Sequence, residues 1–320
     1  MSDWWAEFIS NMIDASVVIC SHNPRPQYLR RVLEALRNQT LPKAQWELLL
    51  VDNASEEPLA TAWDLSWHPS ARHIREANLG IAVARQRGIK ESSTELVVFV
   101  DDDNVLAADY LSEATKIEKE WPQLGVWGGS IVPEFEVQPP PHLSDFLGVL
   151  AIREVTTPLW ANISTCSDAE PWGAGLCIRR SVASAYCEQY EKSTIHLGRQ
   201  TGISVIPGED TEMCYAACEI GLGMGLFPAL KLTHLIPKVR IEEDNLLKTT
   251  EGVQIGAHLV AFKKHGVIPS PPFSPIACLR LLRHVLLEKG IRRRLYLGSI
   301  RAKIRARKII ALNNARTETI

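Results

Sequence analysis

Over the first hundred positions, runs of consecutive apolar residues alternate with segments of helical spacing. "ASVVIC" (15–20) has no polar face, and "SHNPRP" stops it. "YLRRVLEALRNQT" follows, with Leu29, Val32, Leu33 and Leu36 on one helical face. "WELLLVDNAS" (46–55) is a second apolar run ending in an Asp and a turn, and "ARHIREA" (71–77) is a weaker third. "NLGIAVARQRGIKES" (78–92) is a glycine-broken turn leading into a helix, and "ELVVFVDDD" (95–103) is the next strand. Strands without a polar face are buried on both sides. Alternating with helices, they predict an α/β fold with a mostly parallel, Rossmann-like sheet and helices on both faces.

The second half is less regular. "LGVWGGSIV" (124–132) reads as a strand, and "QPPPHLSDF" as a loop, because three prolines cannot enter a helix interior or a central strand. "PWGAGLCIRRS" (171–181) is a turn running into a strand. "GEDTEMCYAACEIG" (208–221) starts a helix with acids at its N-terminal end. "LKLTHLIP" (230–237) reads as a short strand carrying one His. "IPSPPFSP" (268–275) reads as a linker, and helical segments with a basic face follow it.

Charge changes this picture in one place. The 320 residues carry a net charge of −2, which predicts no attraction to nucleic acid, yet Arg280–Lys308 holds 11 Lys/Arg against Glu288 alone. That stretch is +10. Residues 309–320 cancel, so the first 279 residues carry −12. The seven cysteines form no CxxC pair and read as reduced thiols of a cytosolic protein, not as a disulfide frame or zinc site. The N-terminus carries acids where a signal peptide needs bases, and no charge-free run is long enough to span a bilayer. The expected location is cytoplasmic.

The candidate chemistry lies in "VVFVDDDNVL" (97–106). In parallel sheets ligands bind beyond the carboxyl ends of the strands, and Asp101, Asp102 and Asp103 sit there. Adjacent carboxylates repel unless a cation neutralises them. Hard divalent ions commonly bridge such carboxylates to substrate phosphates. The plainer alternative is a solvated loop, with Asp103 or Asn104 capping a helix over 106–119.

These pieces, in order, resemble glycosyltransferase family 2, the inverting enzymes with the GT-A fold: "SVVICSHNPR", "LLLVDNAS", "NLGIAVARQRGI", "VVFVDDD", then "GAGLCIRRS" and "GEDTEM". The resemblance covers roughly residues 15–237. It implies an N-terminal helical segment (1–14), a nucleotide-sugar-binding half (15–106), an acceptor-binding half (107–240) and a basic, helical C-terminal extension (241–320). It implies that Ser21 and Asn23 meet the nucleotide, although His22 departs from the family pattern. Asp52 would accept from the base, and Asn78, Gly80 and Arg85 would lie against the nucleotide. Asp101 and Asp102 would contact the donor, and Trp172, Gly173 and Gly175 would line the donor-sugar pocket. Asp101, Asp103 and His234 would hold Mn²⁺ or Mg²⁺. Asp210, with Glu209 beside it, would be the general base. The residues alone leave structural alternatives open: Asp52 as a turn former, Arg85 as a helix surface charge, Glu209 and Asp210 as complements to a helix dipole, and His234 and Trp172 as core.

The implied reaction moves a sugar from a nucleoside-diphosphate sugar, uridine diphosphate by family habit, to a hydroxyl on a glycan, a lipid-linked acceptor or a small molecule. Two other readings compete. D-x-D-x-[TV] after a strand also fits haloacid-dehalogenase-like phosphatases, where Asp101 would be the nucleophile and Asp103 the acid/base. That motif normally opens the first strand of its sheet, and here two strand–helix units precede it. The other is a non-catalytic nucleotide-sugar-binding protein. The basic tail predicts peripheral contact with an anionic membrane, at its inner face, through residues 276–310. The rival expectation is that it packs on the acidic catalytic domain.

Overall fold

The computed structural model describes residues 13–165, 167–198, 200–201, 204–271 and 275–317. The N-terminal helical segment expected over 1–14 lies outside them except for its last two residues. The chain forms two compact units. One comprises 1–134, 151–191 and 210–236, and the other 135–150, 192–209 and 237–320.

The first unit is built on one sheet. Its strands are β1 (Ala15–Ser21), β2 (Trp46–Asn53), β3 (Ala71–Glu76), β4 (Leu96–Asp101), β5 (Asn104–Leu106), β6 (Leu124–Phe135), β7 (Leu159–Ala161), β8 (Cys177–Arg179) and, after a two-stranded hairpin β9 (Gln200–Thr201) and β10 (Ser204–Val205), β11 (Gly223–Ile236). The order is β3-β2-β1-β4-β8-β6-β11-β5, with β7 also on β11. The first four strands run parallel. Past β4 the pairs β4–β8, β8–β6, β11–β5 and β11–β7 are antiparallel.

The apolar runs are buried on both sides, and residue parity decides which core each side chain enters. Val17, Ile19, Leu48, Leu50, Val98 and Val100 join one cluster, which holds Leu29, Val32, Leu33 and Leu36 of helix α1 (Pro26–Arg37). Their neighbours Val18, Cys20, Leu49, Val51, Val97 and Phe99 join the other. After the short α2 (Leu59–Ala62), helix α3 (Ile81–Glu91) contributes Ala82, Ala84 and Ile89 to that second face. Helix α4 (Tyr110–Glu120) packs on the first face. Helices α5 (Arg180–Lys192) and α6 (Glu209–Glu219) complete the second. The sheet edge is therefore fixed from above and below.

Three local expectations change. The chain does not enter a helix at 106: Asn104–Leu106 first forms β5 against β11, and α4 starts at Tyr110. Asp103 and Asn104 are therefore not its caps. The strand expected over 230–237 is the end of a 14-residue strand, because β11 has β5 and β7 to pair with along its length. The proline run ends in 3₁₀ turns over Pro141–Leu150, whose first residue needs no N–H partner.

The second unit contains α7 (Glu243–His265), α8 (Pro275–Leu287) and α9 (Gly290–Thr317). Ala302, Ala306 and Ile310 of α9 are buried. Three arginines of the basic stretch meet acids of α7. Arg294 pairs with Glu243 and Asp244, and Arg301 and Arg305 both reach Glu251, at 2.9 and 3.2 Å. Among the described residues no helix is long and apolar enough to cross a membrane. Six cysteines are free thiols, and Cys166 lies outside the described residues. Burial pushes Cys20 up to about 12, so that thiol stays protonated.

Candidate active site

Parallel pairing of β1 with β4 sets Cys20 opposite Asp101, so both strands deliver their next residues to one edge. There the three aspartates take three different partners. Asp101 Oδ1 accepts from Arg85 Nη2 at 3.2 Å. Arg85 is 3% exposed, lies 5.3 Å over the Phe99 ring and donates to Gly173 O at 3.4 Å. It is a buried counter-charge, not a surface residue. Asp102 accepts from the Ser21 hydroxyl. Asp103 accepts from Asn104 Nδ2 at 2.9 Å and lies 3.4 Å from Nε2 of His234, which β11 brings in. Burial raises Asp101 above the ordinary carboxylate range, with Asp103 adding to the shift and Arg85 opposing it. Burial, with Asp103 and Asp101 beside it, pushes Asp102 up to about 7 against the Ser21 hydrogen bond. The edge is under-neutralised.

A divalent ion fits this donor set in one specific way. Among the described residues no three His, Cys, Asp or Glu side chains already gather around one point. Two neighbouring donors of an octahedral Mg²⁺ or Mn²⁺, each at about 2.1 Å, would stand about 3 Å apart. The 3.4 Å between Asp103 Oδ2 and His234 Nε2 is close to that spacing. The site fits an ion taking one or two protein ligands and completing its shell with phosphate oxygens and water, not a closed protein cage.

On the β1–β2 side the residues hold one another. Asp52, 4% exposed, accepts from Ser55 N at 2.9 Å and Leu59 N at 3.0 Å, and pairs with Arg75. Burial works to raise its pKa, but these donors together lower it. The turn-forming role is thus realised, which leaves little carboxylate surface for a base. Asn23 (φ 47°) and Ala54 (φ 57°) both adopt left-handed backbone in the two facing turns. Asn23 N donates to Ser55 Oγ at 3.0 Å, and Asn23 Oδ1 accepts from Glu56 N at 2.9 Å. His22 Nδ1 meets Asn53 O at 2.8 Å. Asn53 is a residue the sequence reading passed over. Its side chain donates to Asn78 O at 2.7 Å and accepts from Gly80 N at 2.8 Å. It pins the glycine turn, where Gly80 has φ 145°, to the end of β2.

Because Asp52 is more acidic folded than unfolded, its contribution to stability is present above the ordinary value and lost as pH falls through the folded one. Asp52→Asn should therefore flatten the loss of urea resistance below about pH 4. An unchanged acid profile would show that other carboxylates set it.

The β8 side carries the second acidic group. Asp210, at the start of α6, accepts from Gly173 N at 3.0 Å and from Thr211 N at 2.9 Å. Glu209 is 6% exposed, and its carboxylate accepts from Gly208 N at 3.2 Å. A Cβ on Gly173 would stand 2.6 Å from Arg85 Nη2, so only glycine lets the guanidinium lie on this backbone. Gly175 has φ 71°, and a Cβ there would stand 2.4 Å from the Tyr110 hydroxyl, which donates to Gly175 O at 2.6 Å. Gly175→Ala should lower stability by about 1–3 kcal/mol, read as a reduced urea midpoint. A midpoint within error of the parent would contradict this packing.

Arg153, Asp168, Glu170 and Trp172 line a cavity of about 570 Å³. The Arg153 guanidinium stacks 3.6 Å over the Trp172 ring, and Arg153 Nη1 donates to Glu170 O at 2.6 Å. Glu170 accepts from Thr211 Oγ1 at 2.6 Å. Burial raises Glu170, with Asp210 adding to the shift. Arg153 and Glu170 carry no motif that sequence reasoning could have used. Trp172 lines this cavity, and the sequence reading had it against the donor sugar.

An open sheet with clustered carboxylates at the carboxyl end of β4, extended by antiparallel strands, is the architecture of a GT-A glycosyltransferase domain. The structure resembles residues 1–349 of TarS from S. aureus, with a TM-score of 0.50 at 12% identity over 93% of this chain and 91% of that one; the likeness is one of fold. Residues 16–166 match the family model for glycosyl transferase family 2. The glycosyltransferase AglE of Haloferax volcanii is 31% identical over 91 residues, 28% of this chain and 30% of that protein. The putative glycosyltransferase EpsH of Bacillus subtilis is 27% identical over 100 residues, 31% of this chain and 28% of that protein. The chain thus matches under a third of each relative's length. None of these matches supports the phosphatase reading.

Proposed function

We propose that the protein is an inverting glycosyltransferase that moves a sugar from a nucleoside-diphosphate sugar, a uridine diphosphate sugar in the first instance, to an acceptor hydroxyl. The observation that carries this reading is the under-neutralised carboxylate edge at the end of β4, with His234 beside Asp103. Such an edge matches a cation-bound diphosphate and has no use in packing.

In this mechanism Asp103 and His234 would hold Mn²⁺ or Mg²⁺, with the Asp101 carboxylate adding its charge beside them. When bound, that ion screens the diphosphate and favours its departure. Arg85 keeps Asp101 oriented, and Ser21 does the same for Asp102. Asn53 holds the Asn78–Gly80 turn, and Asn23 the facing turn, as the frame for the nucleotide. Asp210 takes the proton of the acceptor hydroxyl as its oxygen attacks the anomeric carbon and the diphosphate leaves with its electron pair. The cavity lined by Trp172, Arg153, Glu170 and Asp168 suits a sugar ring, whose hydroxyls such polar groups can meet. The acceptor is a glycan, a lipid-linked glycan or a small hydroxyl compound.

The test is a panel of nucleotide sugars with mixed acceptors, following nucleoside diphosphate release with Mn²⁺, with Mg²⁺ and with chelator. Cation-stimulated, acceptor-dependent release from one donor is the expected result. Tight donor binding with no release under any condition would favour the non-catalytic binding protein.

A further inference from the structure

Because the basic stripe of α9 turns onto α7, the membrane question moves to α8. Among its described side chains, that helix packs through one side. Leu281 and Glu288 are half-buried, and His284 between them stacks on Tyr296 of α9 with ring centroids 4.0 Å apart. The opposite side carries Leu279, Leu282 and Leu286 at i, i+3 and i+7, which are 70%, 55% and 69% exposed, with Leu287 at 67%. Four large aliphatic side chains within nine residues form a continuous ridge, unlike the single exposed apolar residues common on protein surfaces.

The rim of the ridge is cationic. Between Leu279 and Arg293 the sequence holds Arg280, Arg283, Lys289, Arg292 and Arg293 against one acid, Glu288. All five cations are exposed. Among the described residues, pairing does not absorb this set as it does Arg294, Arg301 and Arg305: Arg292 has a 3.4 Å contact to Asp145 in which both side chains are largely exposed. A ridge of leucines bordered by Arg and Lys, on a helix too short to span a bilayer, is the pattern of a helix lying in the interface of an anionic membrane.

We infer that α8 docks the protein on an anionic lipid surface through Leu279, Leu282, Leu286 and Leu287, with Arg280, Arg283, Lys289, Arg292 and Arg293 meeting the headgroups. This surface is the first part of the 276–310 region; farther along it, Arg294, Arg301 and Arg305 are engaged with Glu243, Asp244 and Glu251. A second copy of the chain is the other occupant an apolar ridge could take. The five cations disfavour it, because two such rims brought face to face repel.

The test is flotation of the full chain with vesicles of equimolar phosphatidylcholine and phosphatidylglycerol, and of phosphatidylcholine alone. At low salt the protein should float with the anionic vesicles and stay behind with the neutral ones, and high salt should weaken binding. Leu282→Ser with Leu286→Ser, and separately Arg280→Glu with Arg283→Glu, should each lower the floated fraction at least about fivefold. These positions are exposed, and unchanged circular dichroism and melting will show that the variants fold. The inference fails if the parent ignores anionic vesicles at low salt or if both variants float like the parent. It also fails if the leucine variant converts a dimer to a monomer with no change in flotation.

Discussion

Asp210→Asn is expected to lower the transfer rate by about 10²–10⁴-fold while leaving donor affinity within a factor of about three. The exchange removes a negative charge and almost no volume. Asp210 accepts from Gly173 N and Thr211 N. An amide can accept from only one of them without turning its NH₂ to the other, so some local cost accompanies the loss of the base. The measurements separate the two. Donor binding by calorimetry reports the frame around Gly173, and single-turnover transfer reports proton removal. A variant that no longer binds nucleotide sugar would make Asp210 a structural residue. A variant that turns over at the parent rate would remove it from the reaction.

The second large effect concerns the cation. Three carboxylates share one strand end, with Arg85 and His234 as their cationic or polar neighbours. Saturating Mn²⁺ should therefore raise the melting temperature as well as support turnover. At a concentration of about one hundred times its dissociation constant an ion binding only the folded state adds about 2.7 kcal/mol. Asp103→Asn should remove both responses, because it deletes the charge nearest His234 and leaves the shape. The same variant without added metal should be no less stable than the parent, since it relieves repulsion with Asp101 and Asp102. Full activity of the parent in excess chelator would overturn the assignment. So would an undiminished Mn²⁺ melting shift in Asp103→Asn.

What the sequence disclosed follows from how local each cause is. The parallel strands were legible because burial on both faces writes itself as an uninterrupted apolar run. The acidic strand end was legible because carboxylates next to such a run have no packing explanation. Helix α5 was missed because β8 is three residues long and passes straight into it at Arg180, with no turn signal between them. Asn53 was missed because it looks like any turn residue, and its partners Asn78 and Gly80 are set by the β2–β3 register. Arg153 and Glu170 acquire meaning only by meeting Trp172 and Thr211. The tail was half legible. Arg294, Arg301 and Arg305 follow one another at i, i+7 and i+11, a helical face, but the acids that answer them lie some fifty residues earlier, beyond the reach of a helical pattern.

Gly173 sits between two charges of opposite role. Its carbonyl receives Arg85, the counter-charge of Asp101, and its amide serves Asp210. The two contacts belong to adjacent peptide units that meet at the Gly173 Cα. A shift of this residue moves both, so the Arg85 and Asp210 contacts do not relax independently. Energetically this is coupling between sites, and it has a sign and a size. Arg85→Lys and Asp210→Asn should be non-additive in donor binding and in transfer, with an interaction energy of about 0.5–3 kcal/mol. By reciprocity, occupancy of the nucleotide edge should change acceptor affinity by the same factor that acceptor changes donor affinity. Each substrate would then change the hold on the other through one residue that has no side chain.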